Sequence, residues 1–472
     1  MNRRNFLHGF SLLTTSVFFN QYSFAGTAPK FPVVRPAADK RRFRSKSVEA
    51  AITEFQKKVK DEELGWLFNN CFPSTLDTTV THGTRDGRPD TYVITGDIDA
   101  MWLRDSSAQV WPYLQLVGKD AELRQLIAGV INRQTSYILK DPYANAFYDD
   151  ANKVGEWKTD KTKMLPGVHE RKWEIDSLCY PIRLGYHYWK TTKDTKPFDQ
   201  QWQQAIKTVL QTFRAQQRKD ALGPYSFQRE TANATDTQPM KGYGYPIKPV
   251  GLICSAFRPS DDATLYSFLV PSNFFAAVSL RQAAEMMTAL AKDQKTAGEL
   301  TALATEVEAA LKQHAIVNHP KYGKIYAYEV DGFGSQVLMD DANVPSLIAL
   351  PYLGAVPVSD PVYQNTRKML LSEDNPFYFK GTAGAGIGGP HVGQDMIWPI
   401  GLVTQGLTST SDAEIKQCIQ TLKSTHGSTG FMHESFNKDN PAKFTRSWFA
   451  WANTIFGEFL WKTYKEKPQL LA

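Results

Sequence analysis

The sequence is poor in what a metal or redox centre draws on. Its 472 residues include four cysteines, Cys71, Cys179, Cys254 and Cys418, which are widely spaced and form no Cys-x-x-Cys pair. That excludes the common zinc ribbons and dithiol motifs. An oxidising compartment would permit disulfides, but spacing assigns none, and buried free thiols fit equally well. The nine histidines do not cluster at ligand spacing and no His-Glu-x-x-His occurs, so no metal is expected. The glycine-dense loop 381–393 lacks the Gly-Lys-Ser/Thr of a phosphate-binding loop; its glycines suit a close backbone approach or a simple turn. Long apolar runs are missing too. Residues 10–19 are apolar but too few to span a bilayer comfortably, and nothing later is more apolar. Strand-like alternation is scarce and local, as at 324–330.

A surplus of one charge is missing from the body of the chain. The net charge is +6, but residues 1–46 hold nine Lys/Arg against Asp39 alone, leaving 45 basic and 47 acidic residues beyond them. A near-neutral body gives no nucleic-acid footprint, and the cluster Lys40-Arg41-Arg42-Phe43-Arg44 reads as a solvated arm. Arg3-Arg4-Asn5-Phe6-Leu7, the apolar stretch and Ser23-Phe24-Ala25 have the order of a twin-arginine export signal with a small-residue cleavage site. The expected layout is an export signal at 1–25, a basic leader at 26–46 and one domain at 47–472, in a periplasmic or exported protein.

What is abundant is hydrophobic and aromatic: 42% hydrophobic residues, with 11 Trp, 20 Tyr and 27 Phe. That suffices for a large core. Helical periodicity predicts helices over 48–69, 121–139, 198–217, 273–291, 297–314 and 412–424. Loops rich in Gly, Pro and Asp separate them and carry the polar-aromatic motifs. Helix, motif loop, helix, repeated without a Ser/Gly linker, fits an all-α toroid of helical hairpins whose loops line a concave site. A mixed α/β enzyme is the alternative and would need more hydrophobic strands.

Six motifs carry chemistry. The first, from Thr95, places Asp97, Asp99, Trp102, Arg104 and Asp105 within nine residues. Carboxylates accept from sugar hydroxyls, Arg donates, and an indole offers an apolar face. Against this, Asp97 or Asp99 could cap the following helix and Arg104 could pair internally. The Asp-x-Asp alone is a weak glycosyltransferase metal signal. The second motif holds Glu170, Trp173, Glu174 and Asp176; if helical, it sets Glu170 and Glu174 on one face, where salt bridging is an equal reading. The third, Phe257-Arg258-Pro259-Ser260-Asp261-Asp262, reads as a helix start, with Asn273 following. One of two adjacent acids, held near another acid in an apolar pocket, would gain the raised pKa of a general acid. The fourth holds Asp340, Asp341 and Asn343. The fifth runs from the glycine loop to His391, Asp395 and Trp398. In the sixth, Glu434 stands beside His433 among apolar and small residues, as a satisfied buried carboxylate or a catalytic base.

These motifs, at 96–113, 172–181, 257–263 with 270–273, 340–347, 389–400 and 430–436, resemble glycoside hydrolase family 125, the exo-acting α-1,6-mannosidases, over about residues 48–465. The resemblance implies an (α/α)6 barrel and metal-independent hydrolysis with inversion, without a cofactor. Glu434 would be the general base, and the acid would fall within Asp261-Asp262, Asp261 being favoured. Asp97, Asp99, Arg104, Asp105, Asp341, His391 and His433 would line the sugar pocket, and Trp102, Glu174, Asp176, Arg258 and Asn273 complete the candidate substrate-binding set. Inversion needs the two carboxyls roughly 6.5–9.5 Å apart, with room for a water. The implied partner is an α-mannoside oligosaccharide or N-glycan, with no nucleic acid and no membrane span in the mature chain. A non-catalytic glycan-binding protein would not need Asp261 and Glu434 together. A polysaccharide lyase would need a cationic groove that the acidic loops argue against.

Overall fold

A helix can bury one face and wet the other, or be covered by neighbours on nearly every side. Both kinds occur in the computed structural model of the protein, which describes residues 30–471. The export motif at Arg3-Arg4 and the cleavage site at 23–25 lie outside the described residues. Residues from Val34 onward form one compact unit.

Among the described residues, twelve helices have eight or more residues. They are α1 (Lys46–Lys58), α2 (Glu62–Cys71), α3 (Leu103–Val110), α4 (Ala121–Lys140), α5 (Ile175–Thr192), α6 (Gln200–Gln216), α7 (Val270–Met286), α8 (Gln294–His314), α9 (Pro361–Leu370), α10 (Pro399–Leu407), α11 (Asp412–Ser424) and α12 (Ala450–Glu466). The expected helix 48–69 is two: Val59 leaves the helical region, and Asp61 restarts it by accepting from the Glu63 and Leu64 amides. The strand-like segment 324–330 resolves into two short strands, Gly323–Tyr326 and Glu329–Val330.

The helices fall into two sets. In the first, α3 packs on α5 and α12, α5 on α7, and α10 on α12. These are buried on nearly every side: all eight residues of α3, and Ala450 through Gly457 of α12 without a break. Covered this fully, they bury polar side chains as well as apolar ones, Arg104 and Asp105 on α3 and Asn453 on α12 among them. In the second set, α2 packs on α12, α4 on α5, α6 on α4, α8 on α7 and α11 on α10, each presenting one apolar stripe.

The first-set helices α3, α7, α10 and α12 start at or close after a short strand. Met101–Trp102 pairs with Ala146–Phe147, which pairs with Val168–Glu170. Phe268–Leu269 pairs with Glu329–Val330, and Met396–Ile397 pairs with Ser435–Asn437, itself paired with Phe444–Thr445. These pairings fix where each helix begins.

The basic leader is partly docked. Arg35 is buried and donates to Asp77 at 2.6 Å and Glu49 at 2.6 Å, and Arg41 donates to Glu49 at 3.0 Å. A guanidinium between two carboxylates satisfies its fork of donors, so this part of the leader is no solvated arm. All four cysteines are buried free thiols.

Candidate active site

The strand-to-helix junctions deliver the motif residues to helix N-termini. Trp102 is the residue before α3, Glu174 the one before α5, and Trp398 the one before α10, and none of them uses its side chain as a cap. The first motif is pinned by backbone to the segment that leads into α12: the Asp97 amide donates to Trp448 O at 3.3 Å, and Gly96 bridges Phe449. Gly96 has φ +130°, and a Cβ there would stand 2.2 Å from Trp448 O, so only glycine permits this junction.

Arg104, in the first turn of α3, is the centre of the site. It is buried, and it donates to Glu174 Oε2 at 2.5 Å, Asp176 Oδ2 at 3.2 Å and Asp261 Oδ1 at 3.3 Å, with Asp105 Oδ2 3.4 Å away. Burial opposes its charge, but Glu174, Asp176 and Asp105 outweigh that and hold the guanidinium above its ordinary value. The carboxyls respond unequally. Burial pushes Glu174 well above the carboxylate range, with Arg104 pulling back, and takes Asp176 up to about 6. Burial also raises Asp105. Asp261 goes the other way: burial would raise it, but Arg104 and Lys172 hold it well below the usual range.

Asp261 and Asp262 diverge because of a turn, not a helix start. The Arg258 amide donates to Asp262 O at 2.7 Å, the Asp261 amide donates to Arg258 O at 2.9 Å, and Asp261 has φ +67°. This left-handed residue sends its carboxyl toward Arg104 and Asn145, which donates at 3.3 Å, while Lys172 Nζ donates to its carbonyl at 2.8 Å. Asp262 instead faces His391 Nδ1 at 3.2 Å. Burial would lower the His391 imidazole, but Asp262 outweighs it and raises it to about 9, so the ring is cationic at neutral pH. The Asp261 side chain is 20% exposed and that of Asp262 only 3%.

Glu434 arrives from the sixth motif. Its Oε1 is 3.6 Å from Arg446 Nη1, and Arg446 also donates to Asp97 at 2.5 Å and 2.9 Å. Asp97, Arg446 and Glu434 therefore form one chain, and Glu434 contributes to the rise of His391. The arrangement sets four carboxyls around Arg104 and a fifth, Glu434, beside Arg446.

The sequence model of one family, metal-independent α-mannosidase (GH125), matches residues 61–461. The chain belongs to that family. The mannosidase is 42% identical over 469 residues to the meiotically up-regulated gene 157 protein of Schizosaccharomyces pombe, covering 95% of this chain and 92% of that protein. It is 43% identical, with TM-score 0.87, to a metal-independent α-mannosidase of Streptococcus pneumoniae solved as a non-productive complex with α-1,6-mannobiose, covering 90% of this chain and 100% of that one. It shares its fold, at 14% identity and TM-score 0.52, with a glucoamylase from Saccharomycopsis fibuligera, covering 91% of this chain and 99% of that one.

Within this family 125 chain, Arg104, Asp105, Glu174, Asp176, Asp261, Asp262 and His391 are linked by contact or charge, as are Asp97 and Glu434. Asp341 joins them through Ser260, whose hydroxyl donates to it at 2.7 Å, and Gly389 passes close, since a Cβ there would stand 3.1 Å from Asp341 Oδ1. Other expected residues are occupied elsewhere. Asp99 is 76% exposed and faces Lys153 at 3.7 Å. Both ends of the Asn273 amide bond the backbone: it accepts from Ile253 N at 2.8 Å and donates to Ile253 O and Leu269 O at 2.9 Å. Asn453 repeats the arrangement on Met432 and Phe449. Arg258 is held by Glu329 at 2.6 Å. His433 stacks on Phe444 at 3.7 Å and pairs with Thr429 at 3.1 Å, which buries it as support for the loop. Trp102 is buried edge-on against His169 at 5.1 Å. Glu170 and Glu174 do not share a helix face, since Glu170 ends a strand.

The sequence reasoning missed Arg446, Lys172 and Asn145. Lys172 opens the second motif and Arg446 follows the sixth by ten residues; the available signal was that each acid-rich motif needs a cation.

Proposed function

We propose that the protein is an inverting exo-α-mannosidase that removes terminal α-1,6-linked mannose from oligosaccharides or N-glycans, with Glu434 as general base and Asp261 as general acid. The observation that carries this reading is that Glu434, paired with Arg446, acts on the same His391 as Asp261 and Asp262, so the acid and base candidates meet at one site. Water attack on the far face of the sugar needs no covalent intermediate. Asp261 is preferred over Asp262 as the acid because it is the more exposed, while Asp262 is engaged by cationic His391. The Streptococcus pneumoniae protein's complex with α-1,6-mannobiose supports the linkage.

We also propose that the helices close as an (α/α)6 barrel. The support is the packing order α12, α3, α5, α7 on one side and α10, α12 on the other. Residues 346–353 would fill the remaining inner position; they begin where Asp340 accepts from the Leu347 and Ile348 amides at 2.8 and 2.9 Å.

Incubation with α-1,6-mannobiose tests the reaction. Proton NMR should show β-mannose first, before mutarotation, with the rate unchanged by EDTA. Initial α-mannose would require a nucleophile in place of a base. Loss on chelation, restored by a divalent ion, would contradict the family chemistry in this chain. Export is a separate proposal, resting on Arg3-Arg4 and Ser23-Phe24-Ala25. The mature protein from its native host should begin near Gly26, and an intact Met1 on soluble cytoplasmic protein would refute it.

A further inference from the structure

A second buried charge cluster lies against the turn that carries Asp261. Arg229 donates to both Asp236 oxygens at 3.1 and 3.2 Å, to Asp160 at 2.6 and 2.8 Å, and to Glu170 at 3.0 Å. Each of these three acids therefore has a cation already. Lys172 is a further one, its side chain only 2% exposed. Its Nζ donates to Asp236 Oδ1 at 2.6 Å and stands 3.6 Å from Glu170 Oε1. Burying an ammonium is costly, and neutralising acids that Arg229 already serves does not account for it. Its remaining hydrogen bond is to backbone: Nζ donates to Asp261 O at 2.8 Å.

That carbonyl belongs to the residue that most needs holding. Asp261 has φ +67°, a conformation uncommon outside glycine that persists where the surroundings impose it. Lys172 reaches both ends of this residue. Its ammonium takes the carbonyl. Its amide donates to Asn145 Oδ1 at 3.1 Å, and the Asn145 NH2 then faces Asp261 Oδ1 at 3.3 Å and Glu170 Oε2 at 3.2 Å. A side-chain amide donates from one end only, so the Lys172 N–H fixes which end meets the carboxyl. The partner segment grips the turn as well: the Ala263 amide donates to the carbonyl of Thr235, the neighbour of Asp236, at 2.7 Å.

We propose that Lys172, locked by Asp236, is the positioning residue that holds the Asp261 carboxyl in place to protonate the leaving oxygen. The inference rests on Asp261 being the acid. Lys172 acts through Asp261: without the ammonium the turn is free to leave its left-handed conformation, and the carboxyl moves with it. Misplacement by about 1 Å can cost about 100-fold in rate. The charge of Lys172 works in the other direction, since it helps to hold Asp261 below the usual carboxylate range. Removing the charge alone would ease protonation of Asp261. Position and charge therefore predict opposite outcomes.

Lys172→Met keeps the length of the side chain and leaves Asp160, Glu170 and Asp236 with Arg229, so the fold should survive. Its kcat on α-1,6-mannobiose should fall about 100-fold, with KM little changed. Its kcat on 2,4-dinitrophenyl α-mannoside, whose leaving group needs no proton, should change little. Equal losses on the two substrates would make Lys172 a structural residue, and an unchanged or faster mannobiose reaction would mean that it acts by charge; either overturns the inference. Should Lys172→Met misfold, Asp236→Ala carries the test, because Arg229 keeps Asp160 and Glu170. It should show a smaller loss with the same split between substrates, and an even loss refutes the proposal. Asp261→Asn is the reference. If it shows the split and Lys172→Met does not, the positioning role fails while the acid stands. If Asp261→Asn lacks the split, the assignment of the acid fails and the inference with it. A wild type inert on both substrates fails the mannosidase reading itself.

Discussion

Glu434→Gln should bind α-1,6-mannobiose and scarcely turn it over. Gln keeps the volume and the acceptor oxygen but cannot take a proton from water, and a general base typically contributes about 10²–10⁴-fold. The loss should be the same on a mannobiose and on an activated aryl mannoside, because the water must be deprotonated in both. That separates Glu434 from Asp261, whose loss should depend on the leaving group. The fold should survive. Arg446 keeps its contacts with Asp97, so no buried cation is orphaned, and the Glu434 amide still donates to Thr445 O at 3.3 Å. Steady-state kcat with calorimetric binding of the disaccharide checks this. A large KM rise with kcat retained would make Glu434 a binding residue and move the base elsewhere.

Helices lying between the motifs were legible, and most of those that open in a motif were not. Asp412–Ser424 matches its expected bounds, and Gln200–Gln216 and Gln294–His314 fall within three residues of theirs, because each buries one stripe and wets the other. α3, α5, α10 and α12 were not expected, because each opens next to a motif whose charged, aromatic, Gly or Pro residues read as loop; α7, equally buried, was expected from Asn273 onward. Yet these helices carry the site, so the fold was easiest to read where the chemistry is not. The motifs compensated in part. Charge density singled out Arg104, Glu174 and Asp176, and isolation among apolar and small residues singled out Glu434. It could not tell Asp97 from Asp99, two residues apart, because which of them turns toward Arg446 depends on the Gly96–Phe449 bridge. Nor could it see that both ends of the Asn273 amide bond the backbone. A polar residue in a motif loop reads the same whether it serves the ligand or the loop.

Arg104→Met should destabilise the protein more than any other single change in the site, and by an amount that grows with pH. The side chain is buried among four carboxyls. Removing one partner from a buried charge network costs about 3–5 kcal/mol. The sign of the pH dependence follows from which state binds more protons. Glu174, Asp176 and Asp105 sit above their unfolded values in the native protein, so their contribution is fully present below about pH 4 and is lost as pH rises through the folded values. Asp261 is the exception, depressed mainly by Arg104 against its burial; its contribution is present above about pH 4 and lost as pH falls. Without Arg104, Asp261 joins the raised group and the other three rise further. The variant's native state then holds more protons than the unfolded chain, so its stability declines as pH rises, by up to about 1.4 kcal/mol per pH unit for each extra proton. Urea unfolding at pH 5 and pH 7.5 measures this. The deficit relative to wild type should be at least about 1 kcal/mol larger at pH 7.5. Equal deficits at the two pH values would mean that Arg104 acts through packing alone, and that the carboxyls around it do not depend on its charge.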